Sequence, residues 1–174
     1  MITFDSKSSK MNKRIFLLLV SLYFSLNSLA IKIDYEVGMS LPNSHYFEVE
    51  MSISDIKAKE LQIKMPVWAP GSYLVREFAK SVNLVKAKDG EGNELEVKKI
   101  NKNTWVIPTK KIKEIKISYE VYAFELSVRT SFLDDSHGYI NGTSVFMYVD
   151  GYKDTPGSVQ INPHASFKKI STSL

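Results

Sequence analysis

The chain has 174 residues, 44% of them hydrophobic and 24% charged, enough for one domain, or one domain plus a targeting segment. The absence of cysteine excludes a disulfide framework, a thiolate zinc site, a cysteine nucleophile and a lipidated N-terminal cysteine. The net charge of +4 is too small to argue for nucleic acid, and residues 1–30 hold four basic side chains against one acidic, leaving 19 basic and 18 acidic in the rest, so no polyanionic partner is implied.

The chain opens on a leader. Met11-Asn12-Lys13-Arg14 is a short basic segment and a better start than the ten residues before it. Ile15 to Leu26 is an apolar run of the length a signal peptide uses, and Ser28-Leu29-Ala30 places small residues where a signal peptidase cuts. The run is short for a membrane span, which needs about 20 apolar residues. The expectation is a signal peptide over residues 1–30 cleaved after Ala30. The mature protein would be exported, periplasmic or extracellular, and would meet the membrane only in transit.

From Ile31 the pattern is period two. Ile31, Ile33, Tyr35, Val37 and Met39 alternate with polar residues or glycine, as do Phe47, Val49, Met51 and Ile53, and then Leu61, Ile63 and Met65. Ile115, Ile117, Tyr119, Val121 and Ala123 do the same. Each run buries one face and wets the other, as antiparallel strands do. Turn signals separate them at Pro42-Asn43, Asp89 to Asn93, Asn101-Lys102-Asn103 and Pro156-Gly157. Val145–Val149 and Val159–Ile161 add late strands, and Asn141-Gly142 reads as a hairpin turn. The fold class expected is all-β, an antiparallel β-sandwich-like domain over residues 31–174. One stretch departs from alternation: Pro66 to Gly71 is a rigid loop bearing Trp68, and Ser72 is placed to cap a short helical turn over residues 72–79.

Chemistry is sparse. The three histidines, His45, His137 and His164, form no pair four residues apart, so there is no H-E-x-x-H zinc motif. His45 reads as structural and the Asp134–Gly138 loop as a solvated turn. No G-x-S-x-G, phosphate loop or dinucleotide fingerprint is present. No complete active site, and no cofactor or metal, is expected in this chain.

The segment Met65-Pro66-Val67-Trp68-Ala69-Pro70-Gly71-Ser72-Tyr73-Leu74-Val75-Arg76-Glu77-Phe78-Ala79 resembles the W-x-P-G-S-Y-x-x-R signature of the M61 (glycyl aminopeptidase) metallopeptidases. Tyr119 to Asp134, with Ser127-Val128-Arg129, and Asn141 to Phe146 resemble two further elements of that family in order. The resemblance implies the N-terminal β domain of an exported metallo-aminopeptidase. The catalytic domain, with its zinc, and a PDZ domain are expected to be missing from this chain, which stops at Ser171–Leu174 without a terminator. The implied partners are that catalytic domain and, through it, a peptide substrate. The chain alone is then not an enzyme; its domain packs beside the zinc cleft and helps shape binding of the peptide's N-terminus. Trp68, Tyr73, Arg76, Arg129 and Asn141 are the candidates to touch substrate or the neighbouring domain. A plainer reading is that Trp68, Tyr73 and Arg76 lock their loop to the sheet, with Arg76 paired to a carboxylate. The alternative function is a stand-alone exported β-sandwich module that binds peptide or glycan.

Overall fold

A computed structural model describes residues 31–172; the expected leader lies outside them. In chain order the strands are β1 (Lys32–Gly38), β2 (Tyr46–Ser54), β3 (Glu60–Lys64), β4 (Val82–Asp89), β5 (Glu94–Leu95), β6 (Lys98–Asn101), β7 (Thr104–Pro108), β8 (Ile115–Tyr122), β9 (Phe132–Leu133), β10 (Gly138–Tyr139), β11 (Tyr148–Val149) and β12 (Gly157–Asn162). One short helix, α1, covers Gly142–Val145, and two 3-10 turns cover Pro42–Ser44 and Phe78–Ser81. No helix among the described residues is long and apolar enough to cross a membrane.

Six strands form one sheet in the order β12-β1-β2-β8-β4-β5, four form a second in the order β11-β3-β7-β6, and β9 and β10 make a small hairpin. The alternation dictates which residues share a face. Phe47 lies opposite Val121, Val49 opposite Tyr119, and Met51 opposite Ile117, and all six are buried. In the second sheet Leu61 faces Ile107 and Ile63 faces Trp105, again all buried. These side chains join in one hydrophobic cluster, and its burial is the main favourable term in folding. The opposite face of the first sheet is charged. Glu36, Glu48, Glu50 and Glu120 border a shallow depression there of about 400 Å³ with Lys86, and Lys116 reaches Glu50 at 2.7 Å, the ordinary dress of a solvated sheet face.

The all-β expectation holds, with local departures. The helical turn expected over residues 72–79 falls at Phe78–Ser81. Ser72 caps nothing, because its hydroxyl is engaged within its own loop, donating to the Leu74 carbonyl at 3.0 Å and accepting from the Leu74 N–H at 3.3 Å. Asn141-Gly142 is not a hairpin turn: Asn141 caps α1, its side chain accepting the Thr143 N–H at 3.2 Å. That helix takes up Val145 and leaves only Tyr148–Val149 of the expected strand. Pro156-Gly157 is not simply a turn, since Gly157 is the first residue of β12, which runs parallel to β1 in an otherwise antiparallel sheet.

Candidate functional site

The Pro66–Phe78 loop leaves β3 and closes on itself. Ser72 is its hub and is buried. The Ser72 N–H donates to the Ala69 carbonyl at 3.0 Å and the Arg76 N–H to the Val67 carbonyl at 2.6 Å. The Trp68 indole N–H donates to the Ser72 carbonyl at 2.7 Å. Arg76 Nε donates to the Ser72 hydroxyl at 3.2 Å. Gly71 sits at φ 78°, a conformation that the chain reversal requires and that a side chain would resist. The loop is therefore held from within. Ala69 and Phe78 turn into the core, while four other side chains stand outward: Trp68 is 53% exposed, Tyr73 fully exposed, and Leu74 and Val75 are exposed as well.

The β8–β9 connection provides the other half. The Thr130 hydroxyl donates to the Glu125 carbonyl at 2.6 Å, and the Asn141 side-chain amide donates to the Val128 carbonyl at 3.1 Å. Ser131 is buried; its hydroxyl accepts the Asn141 N–H at 2.9 Å and lies 2.8 Å from the Ser144 hydroxyl. This segment and the residues from Arg76 to Ser81 enclose a groove of about 500 Å³, within the range of small-ligand sites. Its walls include Arg76, Lys80, Phe124, Glu125 and Arg129, with Ser131 and Ser144 also lining it.

Phe124 belongs to a run of rings. It lies 3.8 Å from the His45 ring and 5.3 Å from Phe132, which lies 5.1 Å from His137, centroid to centroid. His45 Nδ1 meets the Leu133 carbonyl at 2.7 Å, which pins this wall to β2. His45 itself sits at φ 65°, and its contacts make it structural, as its sequence position suggests. The Asp134–Gly138 loop is likewise a turn closed by its own aspartate: Asp134 accepts from the Ser136 hydroxyl at 2.6 Å and from the N–H groups of Ser136 at 2.8 Å and His137 at 3.0 Å. These bonds, the Ser136 hydroxyl foremost, hold the Asp134 carboxyl below the usual carboxylate range.

The five residues singled out from sequence divide. Arg76 and Arg129 come together on one groove, and Asn141 braces it from behind through Ser131 and Val128. Trp68 and Tyr73 are not among the groove's lining residues. Trp68 and Arg76 do fasten the loop, through Ser72, but Tyr73 does not, and none of the ion pairs among the described residues includes Arg76. Sequence reading missed Lys80, Phe124 and Glu125. Phe124 and Glu125 stand at the end of an alternating run and look like strand residues until the chain is seen to leave the sheet there. No group of three or more metal-ligating side chains is assembled among the described residues.

The peptidase M61 N-terminal domain matches residues 34–174 of the chain. Among solved structures, an aminopeptidase N family protein from Idiomarina loihiensis matches with 33% identity and a TM-score of 0.72, over 77% of this chain. The match takes in 22% of that protein's own length, so the chain corresponds to about a fifth of its relative. No curated protein matches.

Proposed function

The chain belongs to the peptidase M61 family, and from that premise we propose that its domain serves an exported aminopeptidase as a non-catalytic element beside the zinc cleft. An exopeptidase must receive a free peptide N-terminus and turn away longer approaches to the cleft. A rigid β domain at the rim does both by shape and by a few polar groups. In this reading the catalytic domain supplies the zinc and the chemistry, the outward apolar loop packs against that domain, and the groove faces the incoming peptide. Export is supported by the signal-peptide pattern of Met11 to Ala30, and a mature N-terminus at Ile31 tests it.

The observation that carries the reading is the exposed apolar cluster of Trp68, Tyr73, Leu74 and Val75 on a loop held by its own hydrogen bonds. Apolar side chains fixed outward on an ordered loop mark a contact surface. The test supplies the enzyme's catalytic domain in trans. The melting temperature rises, because a partner at a hundredfold its dissociation constant adds about 2.7 kcal/mol, and Trp68 becomes shielded from iodide. Tyr73→Ala removes the rise while leaving the chain's own melting temperature unchanged. An unchanged melting temperature and an equally quenchable Trp68 overturn the reading and leave the self-sufficient module for peptide or glycan in its place.

A further inference from the structure

We propose that the groove between the Phe78–Ser81 turn and the Tyr122–Ser131 segment binds the carboxylate of a short peptide, held by the guanidinium groups of Arg76 and Arg129. The inference deepens the reading above by naming what the groove takes. It needs nothing from a catalytic domain, since every group involved belongs to this chain.

Charge is the first argument. Arg76, Lys80 and Arg129 all line the groove, together with Glu77 and Glu125. Glu77 is held by Lys102 at 2.5 Å and also feels the charge of Lys80, so Glu125 is the other carboxylate at the groove beside the two arginines. Neither arginine belongs to an ion pair among the described residues. Arg76 donates through Nε to Ser72, which leaves its terminal nitrogens for a ligand, and the Arg129 side chain makes no hydrogen bond among the described residues. The cationic excess is local, because outside the first 30 residues the chain carries 19 basic and 18 acidic side chains. Like charges gathered on one concave surface repel each other, and an anion between them relieves that repulsion.

Shape and lining select the kind of anion. A guanidinium is a planar fork that matches a carboxylate with two parallel hydrogen bonds. Phe124 and Phe78 add aromatic wall, which an organic acid uses and a bare inorganic ion does not. The Ser131 and Ser144 hydroxyls also line the groove but are buried and engaged with each other and with Asn141, so they shape its floor, and Glu125 can accept a peptide N–H. A volume of about 500 Å³ suits a few residues of peptide. The carboxylate can be the peptide's C-terminus or an acidic side chain.

The test titrates the chain, followed by the arginine Nε–H resonances, with three peptides: acetyl-Phe-Ala, its C-terminal amide, and acetyl-Phe-Asp amide. At least one acid form shifts the Arg76 and Arg129 signals, and the neutral amide binds about tenfold more weakly or not at all, as loss of a charge-assisted hydrogen bond dictates. Which acid binds tells the C-terminal carboxylate from the side chain. Arg129→Gln, an exposed change, weakens the acid about tenfold with the melting temperature unchanged, and Arg129→Lys recovers only part of the affinity. Equal binding of all three peptides, no binding of either acid, or a stronger response to inorganic phosphate than to both acids overturns the proposal. Docking of the catalytic domain is read separately by melting temperature, so either reading fails without the other.

Discussion

The Tyr119 hydroxyl accepts the Met147 N–H at 3.0 Å and donates to the Val145 carbonyl at 3.1 Å. The Tyr35 hydroxyl donates to the Met147 carbonyl at 2.7 Å. Both peptide groups of Met147 are thus satisfied by side chains of the six-stranded sheet, where the chain runs from α1 into the second sheet. Phe at position 119 fills the same space but leaves a buried N–H and a buried carbonyl unpaired. Tyr119→Phe is expected to cost about 2–3 kcal/mol and Tyr35→Phe about 1 kcal/mol, read as a lower urea midpoint with unchanged slope. Wild-type stability in Tyr119→Phe refutes this account of the joint.

The same phenols predict alkaline behaviour. Burial pushes the Tyr35 phenol up to about 12, and Tyr119, more deeply buried, shifts further in the same direction. A free tyrosine ionises near pH 10. Between these values the unfolded chain has released protons that the folded chain keeps, so stability is whole below about pH 10 and falls as pH rises towards about 12. Each phenol contributes a slope of about 1.4 kcal/mol per pH unit in that window. Phenolate absorbance should show two tyrosines withheld until the fold is lost. All tyrosines titrating together near pH 10 in a folded chain would contradict it.

What the sequence made legible follows from local physics. The alternation of Phe47 to Ile53 and of Ile115 to Ala123 states which side is buried, and the structure buries those residues. Arg76 and Arg129 were visible as chemistry because each sits in a distinctive segment. Their meeting was not visible, because it depends on where the chain leaves β8 and on the ring contact between His45 and Phe124, 79 residues apart in sequence. The parallel pairing of β12 was equally hidden: period two reports a strand and its buried face, not its direction. Ser72 misled because a serine before an irregular stretch offers the same hydroxyl to a helix cap or to a closed loop, and only the Arg76 and Leu74 contacts decide between them.

Ser72→Ala tests the loop's hub. The hydroxyl contacts to Leu74 and Arg76 vanish, while the backbone bonds of Ser72 to Ala69 and of Arg76 to Val67 remain. The expected loss is about 1 kcal/mol of stability, with faster amide exchange at Leu74 and Arg76. Trp105 is buried, so iodide quenching of the chain reports Trp68, and its response should change in this variant. Unchanged exchange at both amides would mean that the hydroxyl does not hold the loop.

Gly157→Ala tests the parallel edge. Gly157 pairs with Ile33 at the start of β12, and a Cβ placed on it would lie 2.3 Å from the Ile33 carbonyl oxygen. Glycine is needed here for room, since no side chain can share that space with backbone. Alanine must push β12 away from β1 and pull Ser158 from Asp34, whose carboxylate accepts the Ser158 hydroxyl at 2.6 Å. β1 keeps its full pairing with β2 on the other side, and β12 is largely exposed, so the damage stays local. Amides of Val159 and Ile161 should lose exchange protection while those of β2 keep theirs, at a cost of about 1–3 kcal/mol. Gly90→Ala is the control: a Cβ there comes no closer than 3.5 Å to the Glu114 side chain, an ordinary contact. Retained protection across β12 in Gly157→Ala would show that the strand can shift without leaving the sheet, and the close approach would then not be what holds the edge in register.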